Sequence, residues 1–255
     1  MPHSLINQTS TYYIQKGEGY PVVCLVGWAQ DTRMFEPTAD HLSNRFKVTV
    51  VDYPGFGNSE PMKEPWDVDA YVEWLHALCL ELKIEKPILI AHSFGARLAI
   101  KYAVKYGALK MVLTGAAGLI PKRTFSYHLR VNTYKALKKI STVPGLKELS
   151  VPFMKSFGSQ DYKALDGTLR QSFVKIVNED LSESLPKIQC PTLLVWGTLD
   201  DATPLWMGQK MEQLIPDAGL VLFENDDHYA YWHQIDRFHT IVDAFVKEDN
   251  HGHHH

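Results

Sequence analysis

Short apolar runs recur along the chain at residues 22–26, 48–51, 88–91, 111–113, 193–196 and 219–223. They do not alternate with polar residues, and turn residues bound each of them. A run of this kind is the mark of a strand buried on both faces. Helical spacing fills the gaps. Val72, Leu75, Leu78, Cys79 and Leu82 repeat every three or four residues, as do Leu98, Ala99, Tyr102 and Ala103. Ile235, Phe238, Val242 and Phe245 do the same near the end. Strand and helix in alternation predict an α/β chain with a mostly parallel sheet covered on both faces. Functional residues of such a sheet gather at the carboxyl ends of its strands.

One stretch breaks the alternation. Residues 119–186 hold helical patterns and turns, with breaks at Val143-Pro144-Gly145 and Phe157-Gly158-Ser159, and no strand pattern. We expect a helical cap there, inserted into a core made of residues 1–118 and 187–250. The insertion is basic, with Lys122, Arg123, Arg130, Lys135, Lys138 and Lys139 among its cations. A solvated outer face explains that charge most simply. Steering of acidic substrates is the sharper alternative.

Composition narrows the function classes. A length of 255 residues suits one large domain, or a core with a modest insertion. The formal net charge of −3 does not suggest a nucleic-acid partner, which calls for a basic protein. No run of about 18 uncharged apolar residues occurs, so no membrane span is expected. The first ten residues lack the apolar core of a signal peptide. Cys24, Cys79 and Cys190 are odd in number and widely spaced, which argues against a disulfide framework or a CxxC metal site. A reducing cytoplasm fits them. His251-Gly252-His253-His254-His255 reads as the remnant of a purification tag and is left out of the fold.

The segment Ile88-Leu89-Ile90-Ala91-His92-Ser93-Phe94-Gly95 carries the chemistry. A buried strand runs into a serine and then a helix, with small residues two before and two after the serine. That turn presents a hydroxyl above the sheet, at a helix N-terminus. A serine there could also be a plain helix cap. As a nucleophile it needs a base. His228, in the loop after the apolar run ending at Phe223, is the candidate. His233 and His239 fall within the last helical pattern and read as surface or packing residues, and the side chain of His92 is expected to point away from the serine. The base needs an orienting carboxylate. Asp200 and Asp201 compete for that role in the loop between Gly197 and Pro204, and the spacing favours Asp200. Phe94 and Trp28 are placed to offer backbone N–H groups to an oxyanion. Gly27, Trp28, Phe94 and Tyr229 are expected to wall the substrate pocket, although the aromatics also suit simple core packing. Residues 52–59 are rich in glycine but match neither phosphate-loop pattern, so they read as a structural loop beside the site.

With Ser93, Asp200 and His228 in that order, the chain resembles the α/β-hydrolase superfamily from about Thr11 to Val246, and within it capped bacterial carboxylesterases. Among these are the methyl esterase of pimeloyl-acyl carrier protein and carbon–carbon bond hydrolases of aromatic ring-cleavage products. The resemblance implies an α/β-hydrolase fold with a cap. It also implies a serine hydrolase that cleaves a small-molecule carboxylic ester through an acyl-enzyme. It implies no metal and no organic cofactor, and it sets no oligomeric state. A carbon–carbon bond hydrolase, a thioesterase and a ligand receptor that retains the triad are the alternatives on this fold. Three positions depart from the usual pattern: Val26 for His, Ala91 for Gly, and Asp227 for Gly. Asp226 and Asp227, if either faced the base, would favour its charged form.

Overall fold

A computed structural model of the chain describes residues 3–120 and 167–247. The breaks expected at 143–145 and 157–159, the cations from Lys122 to Lys163 and the terminal histidines lie outside the described residues. Contacts divide the chain into two compact units, Met1–Leu119 with Glu179–His255, and Ile120–Asn178.

The larger unit holds β1 (His3–Ile6), β2 (Thr9–Lys16), β3 (Tyr20–Leu25), α1 (Glu36–Leu42) and β4 (Phe46–Val51). It continues with α2 (Val68–Glu81), β5 (Ile88–His92), α3 (Phe94–Tyr106) and β6 (Lys110–Thr114). In the smaller unit, helix α4 (Gly167–Val177) buries Ser172 and Ile176, one turn apart on one face, and exposes Val174 and Val177. The larger unit then resumes with β7 (Thr192–Gly197), α5 (Leu205–Leu214), β8 (Ala218–Phe223), α6 (Ala230–His233) and α7 (Ile235–Lys247).

The strands form an eight-stranded sheet in the order β1-β2-β4-β3-β5-β6-β7-β8. β1–β2 and β2–β4 are antiparallel, and every other pairing is parallel. All six strands read from the apolar runs are present. The hairpin β1–β2 escapes that reading because it lies at an edge and stays partly wet, with Leu5 72% exposed. Its turn residues Asn7 and Gln8 both have positive φ (47° and 65°), as a two-residue hairpin of matching twist requires.

Strand order reverses at β3: β4 lies on one side of it and β5 on the other. A crevice opens at the carboxyl ends of strands where such a reversal occurs. Register keeps these ends level. Leu25, Ala91, Leu113, Leu194 and Leu220 form one row across β3, β5, β6, β7 and β8. Gly27, Ser93 and Gly115 each lie two residues beyond that row. The row is fixed by burial, since Leu25, Ala91, Leu113 and Leu194 are fully enclosed. Enclosing a leucine side chain is worth roughly 1.5–3 kcal/mol.

Candidate active site

Ser93 sits at the junction of β5 and α3 with φ 50° and ψ −111°, a region a non-glycine residue enters only at a cost of about 1–3 kcal/mol. The junction is held on both sides. The Ser93 N–H donates to Thr114 O (3.1 Å), and the Ala117 N–H donates to Ser93 O (3.1 Å). Gly95 is required here, because a Cβ on it would stand 2.3 Å from the carbonyl oxygen of Leu25. Ala91 replaces the usual glycine without opening the sheet, and it is fully buried in pairings with Leu25 and Leu113. The Ser93 side chain makes no capping hydrogen bond to α3, so the plain helix-cap reading fails.

Asp200 lies in the loop after β7, with its side chain only 1% exposed. Its Oδ1 accepts the N–H groups of Ala202 (2.9 Å) and Thr203 (2.8 Å). Its Oδ2 accepts the Thr203 hydroxyl (2.7 Å) and His228 Nδ1 (2.8 Å). A carboxylate only accepts from these groups, so Nδ1 of His228 bears the proton and Nε2 is the basic nitrogen. Asp201 is exposed. The loops after β7 and β8 are laced together by Thr198 N–H to Phe223 O (3.0 Å) and Leu199 N–H to Asp226 O (2.8 Å). That lacing brings residue 228 over the end of β7.

Gly115 links the serine to this pair. It follows Thr114, which holds the Ser93 backbone. A Cβ on Gly115 would stand 3.0 Å from His228 Nδ1 and 3.2 Å from Asp200 Oδ2. The end of β6 therefore borders both the turn at Ser93 and the His228–Asp200 pair. His92 adds a second link. Its ring is fully buried, its Nδ1–H donates to Thr114 O (3.1 Å), and its centroid lies 4.6 Å from that of His228. Burial pushes the His92 pKa well below the usual histidine value, so the ring is neutral.

The flanking acids turn elsewhere. Asp226 Oδ1 pairs with His233 Nδ1 (2.8 Å) and its Oδ2 accepts Gln234 Nε2 (2.8 Å). Asp227 Oδ1 accepts the Tyr229 N–H (2.8 Å). Their charge-favouring effect falls on His233, whose pKa is raised chiefly by the hydrogen bond to Asp226. Ligand atoms of Asp226, Asp227 and His233 lie within 4.8 Å of one another, but both oxygens of Asp226 are already engaged by protein donors. His239 is buried and stacks on His41 at 4.2 Å.

The loop after β3 borders the serine turn. Gln30 Oε1 accepts the Gly27 N–H (2.8 Å), the Gln30 N–H returns to Gly27 O (3.3 Å), and the Tyr53 hydroxyl donates to Val26 O (2.9 Å). The indole of Trp28 meets the ring of Phe94 edge-on at 5.2 Å. Phe94 opens α3, so its N–H has no acceptor within the helix. Its ring packs among Trp28, Tyr53 and Tyr71, which makes it a core aromatic as well. Tyr229 is 38% exposed, with its ring 5.5 Å from that of His228. In the loop 52–59, the buried Asp52 carboxylate accepts the N–H groups of Thr32 (2.7 Å) and Asn58 (2.8 Å), which is a structural role.

The profile of the alpha/beta hydrolase family matches residues 22–244. The chain belongs to the alpha/beta hydrolase family. This hydrolase is 26% identical over 271 residues to a 2-hydroxy-6-oxononadienedioate/2-hydroxy-6-oxononatrienedioate hydrolase of Pseudomonas putida, covering 92% of this chain and 91% of the relative. It is 27% identical over 240 residues to a pimeloyl-[acyl-carrier protein] methyl ester esterase of Legionella pneumophila, covering 91% and 97%. Among solved structures it resembles a meta-cleavage product hydrolase from Pseudomonas fluorescens, with a TM-score of 0.75, 25% identity, and coverage of 97% and 98%. No helix among the described residues of this hydrolase is long and apolar enough to cross a membrane.

Sequence reasoning passed over Thr203, Gly115 and the ring contact of His92. Thr203 had a readable signal, since a Thr before Pro204 closes the loop that carries Asp200. Gly115 had a weaker one, as the first residue beyond a buried strand. Nothing local to His92 points its ring toward residue 228.

Proposed function

We propose that this hydrolase is a serine esterase that works through Ser93, His228 and Asp200. The observation that supports it most is the buried His228 Nδ1–Asp200 Oδ2 hydrogen bond of 2.8 Å, bordered by the strand end that holds the Ser93 backbone. Ser93 Oγ attacks the ester carbonyl carbon while His228 Nε2 takes its proton. The carbonyl π electrons move to oxygen, and the N–H groups of Trp28 and Phe94 receive that oxyanion. On collapse the C–O bond to the alcohol breaks, and His228 gives the alcohol its proton. Water then attacks the acyl-enzyme with His228 again as base, which releases the acid and restores the Ser93 hydroxyl. Asp200 keeps the imidazole in the required tautomer and stabilises the imidazolium. Gly27, Trp28, Phe94 and Tyr229 line the acyl site, and residues 119–186 act as a cap. Three unpaired, buried cysteines favour a reducing cytoplasm.

Turnover of para-nitrophenyl butyrate tests this reading. Ser93→Ala should lower kcat by at least about a thousandfold. Wild-type turnover no faster than that of the variant would contradict it. The full-length similarity to carbon–carbon bond hydrolases supports a second reading, in which the same serine machinery cleaves a dienoic acid. A strong preference for such an acid over simple esters in a substrate panel would select it.

A further inference from the structure

We infer that Thr203 is a positioning residue for the His228–Asp200 pair, an inference that rests on the reading of Ser93, His228 and Asp200 given above. Three features set Thr203 apart from an ordinary loop threonine. Its hydroxyl donates to Asp200 Oδ2 at 2.7 Å, the same oxygen that receives His228 Nδ1. The hydroxyl oxygen also lies 3.2 Å from His228 Nδ1. Since the hydroxyl proton is committed to the carboxylate, a lone pair of Oγ1 faces the imidazole N–H. That N–H is therefore shared between two acceptors, a near carboxylate oxygen and a more distant hydroxyl.

The backbone of Thr203 is fixed as well. Its N–H donates to Asp200 Oδ1 at 2.8 Å, and its carbonyl accepts the indole N–H of the fully buried Trp196 at 2.7 Å. The side chain is only slightly exposed and cannot swing away without leaving Asp200 Oδ2 short of a donor. A loop-closing role alone is already met by the Ala202 and Thr203 N–H groups on Oδ1. The hydroxyl instead acts on the other oxygen, where it limits rotation of the carboxylate and narrows the arc open to the ring. Such restraint matters because misplacement of a base by about 1 Å can cost a hundredfold in rate.

The test compares Thr203→Val, which keeps shape and loses the hydroxyl, with Thr203→Ser, which keeps the hydroxyl. One readout is the rate of labelling by a fluorophosphonate. The other is proton NMR of the His228 Nδ1–H, identified by its loss in His228→Gln, which needs no turnover. We expect Thr203→Val to label about tenfold more slowly and to exchange the Nδ1 proton with water at least about tenfold faster. Thr203→Ser should stay within about twofold of wild type in both. Melting temperatures show whether each variant is folded. A folded Thr203→Val whose Nδ1 proton exchanges at the wild-type rate overturns the inference, as does a Thr203→Ser as impaired as Thr203→Val. A wild type that does not label at all overturns the reading of Ser93 instead, and the NMR comparison still decides the role of Thr203.

Discussion

Two histidines in the loop and short helix that follow β8 each pair with an aspartate, and the two hydrogen bonds are equal in length. His228 Nδ1 meets Asp200 Oδ2 at 2.8 Å, and His233 Nδ1 meets Asp226 Oδ1 at 2.8 Å. Their surroundings differ. The side chains of the first pair are 12% and 1% exposed, those of the second 47% and 10%. Asp200 takes four hydrogen bonds that fix both of its oxygens, and the His228 ring lies against a buried neutral imidazole. His233 faces water, where its charge is screened, and its ring is held by the hydrogen bond to Asp226 Oδ1. Pair distance therefore does not make a proton relay. What sets the His228 pair apart is its enclosure and a carboxylate held by four hydrogen bonds.

Filling the space around the first pair should have the largest effect on that contrast. Gly115→Ala places a methyl group 3.0 Å from His228 Nδ1, at a backbone φ of 48° that disfavours alanine. It should slow fluorophosphonate labelling by roughly a hundredfold, as misplacement of about 1 Å does. Labelling at the wild-type rate in a folded variant would mean that the pair does not sit where the chemistry happens.

The pH dependence of stability separates buried from exposed histidines by sign. His92 has a depressed native pKa, so below about pH 6.5 the unfolded chain takes up a proton that the native ring refuses. Stability should fall with acidity at up to about 1.4 kcal/mol per pH unit from this group. His92→Phe should flatten that slope in urea unfolding between pH 6.5 and 5. His233 works in the opposite direction. Its raised pKa supplies stability that is full below about pH 6.5 and is lost as the pH rises through the native value. Exposure keeps that contribution below about 1 kcal/mol, so His233→Gln should cost a little at pH 5.5 and nothing at pH 8.5. A His92→Phe slope equal to that of wild type would remove His92 from the account of acid sensitivity.

How much of this was readable in the chain follows from burial. β3 to β7 announce themselves because most of their side chains are enclosed on both faces, whereas the edge strand β8 buries only Phe223 and shows itself by its apolar composition. β1 and β2 do not, because one face of an edge hairpin stays wet. Helix α1 is too short to repeat a pattern, and it buries only Thr38, Ala39 and Leu42. Ser93, Asp200 and His228 stand out as candidates because a sharp turn and two strand-end loops impose local spacing. The partners of Asp226 and Asp227 do not, since the direction of a side chain in a loop depends on the helix that follows it. Gly115 and His92 act through contacts between segments distant in sequence, which no local pattern encodes, whereas Thr203 bonds Asp200 three residues away and only its approach to His228 is long-range.

Under the proposed function His228, and not its near neighbour His233, activates Ser93. Intact-mass labelling by a fluorophosphonate, with the modified peptide mapped, tests it in wild type, His228→Ala and His233→Gln. One adduct is expected, on Ser93, with labelling slowed by about a thousandfold or more in His228→Ala and changed less than about twofold in His233→Gln. An adduct on another residue, or equal labelling of wild type and His228→Ala, would contradict it.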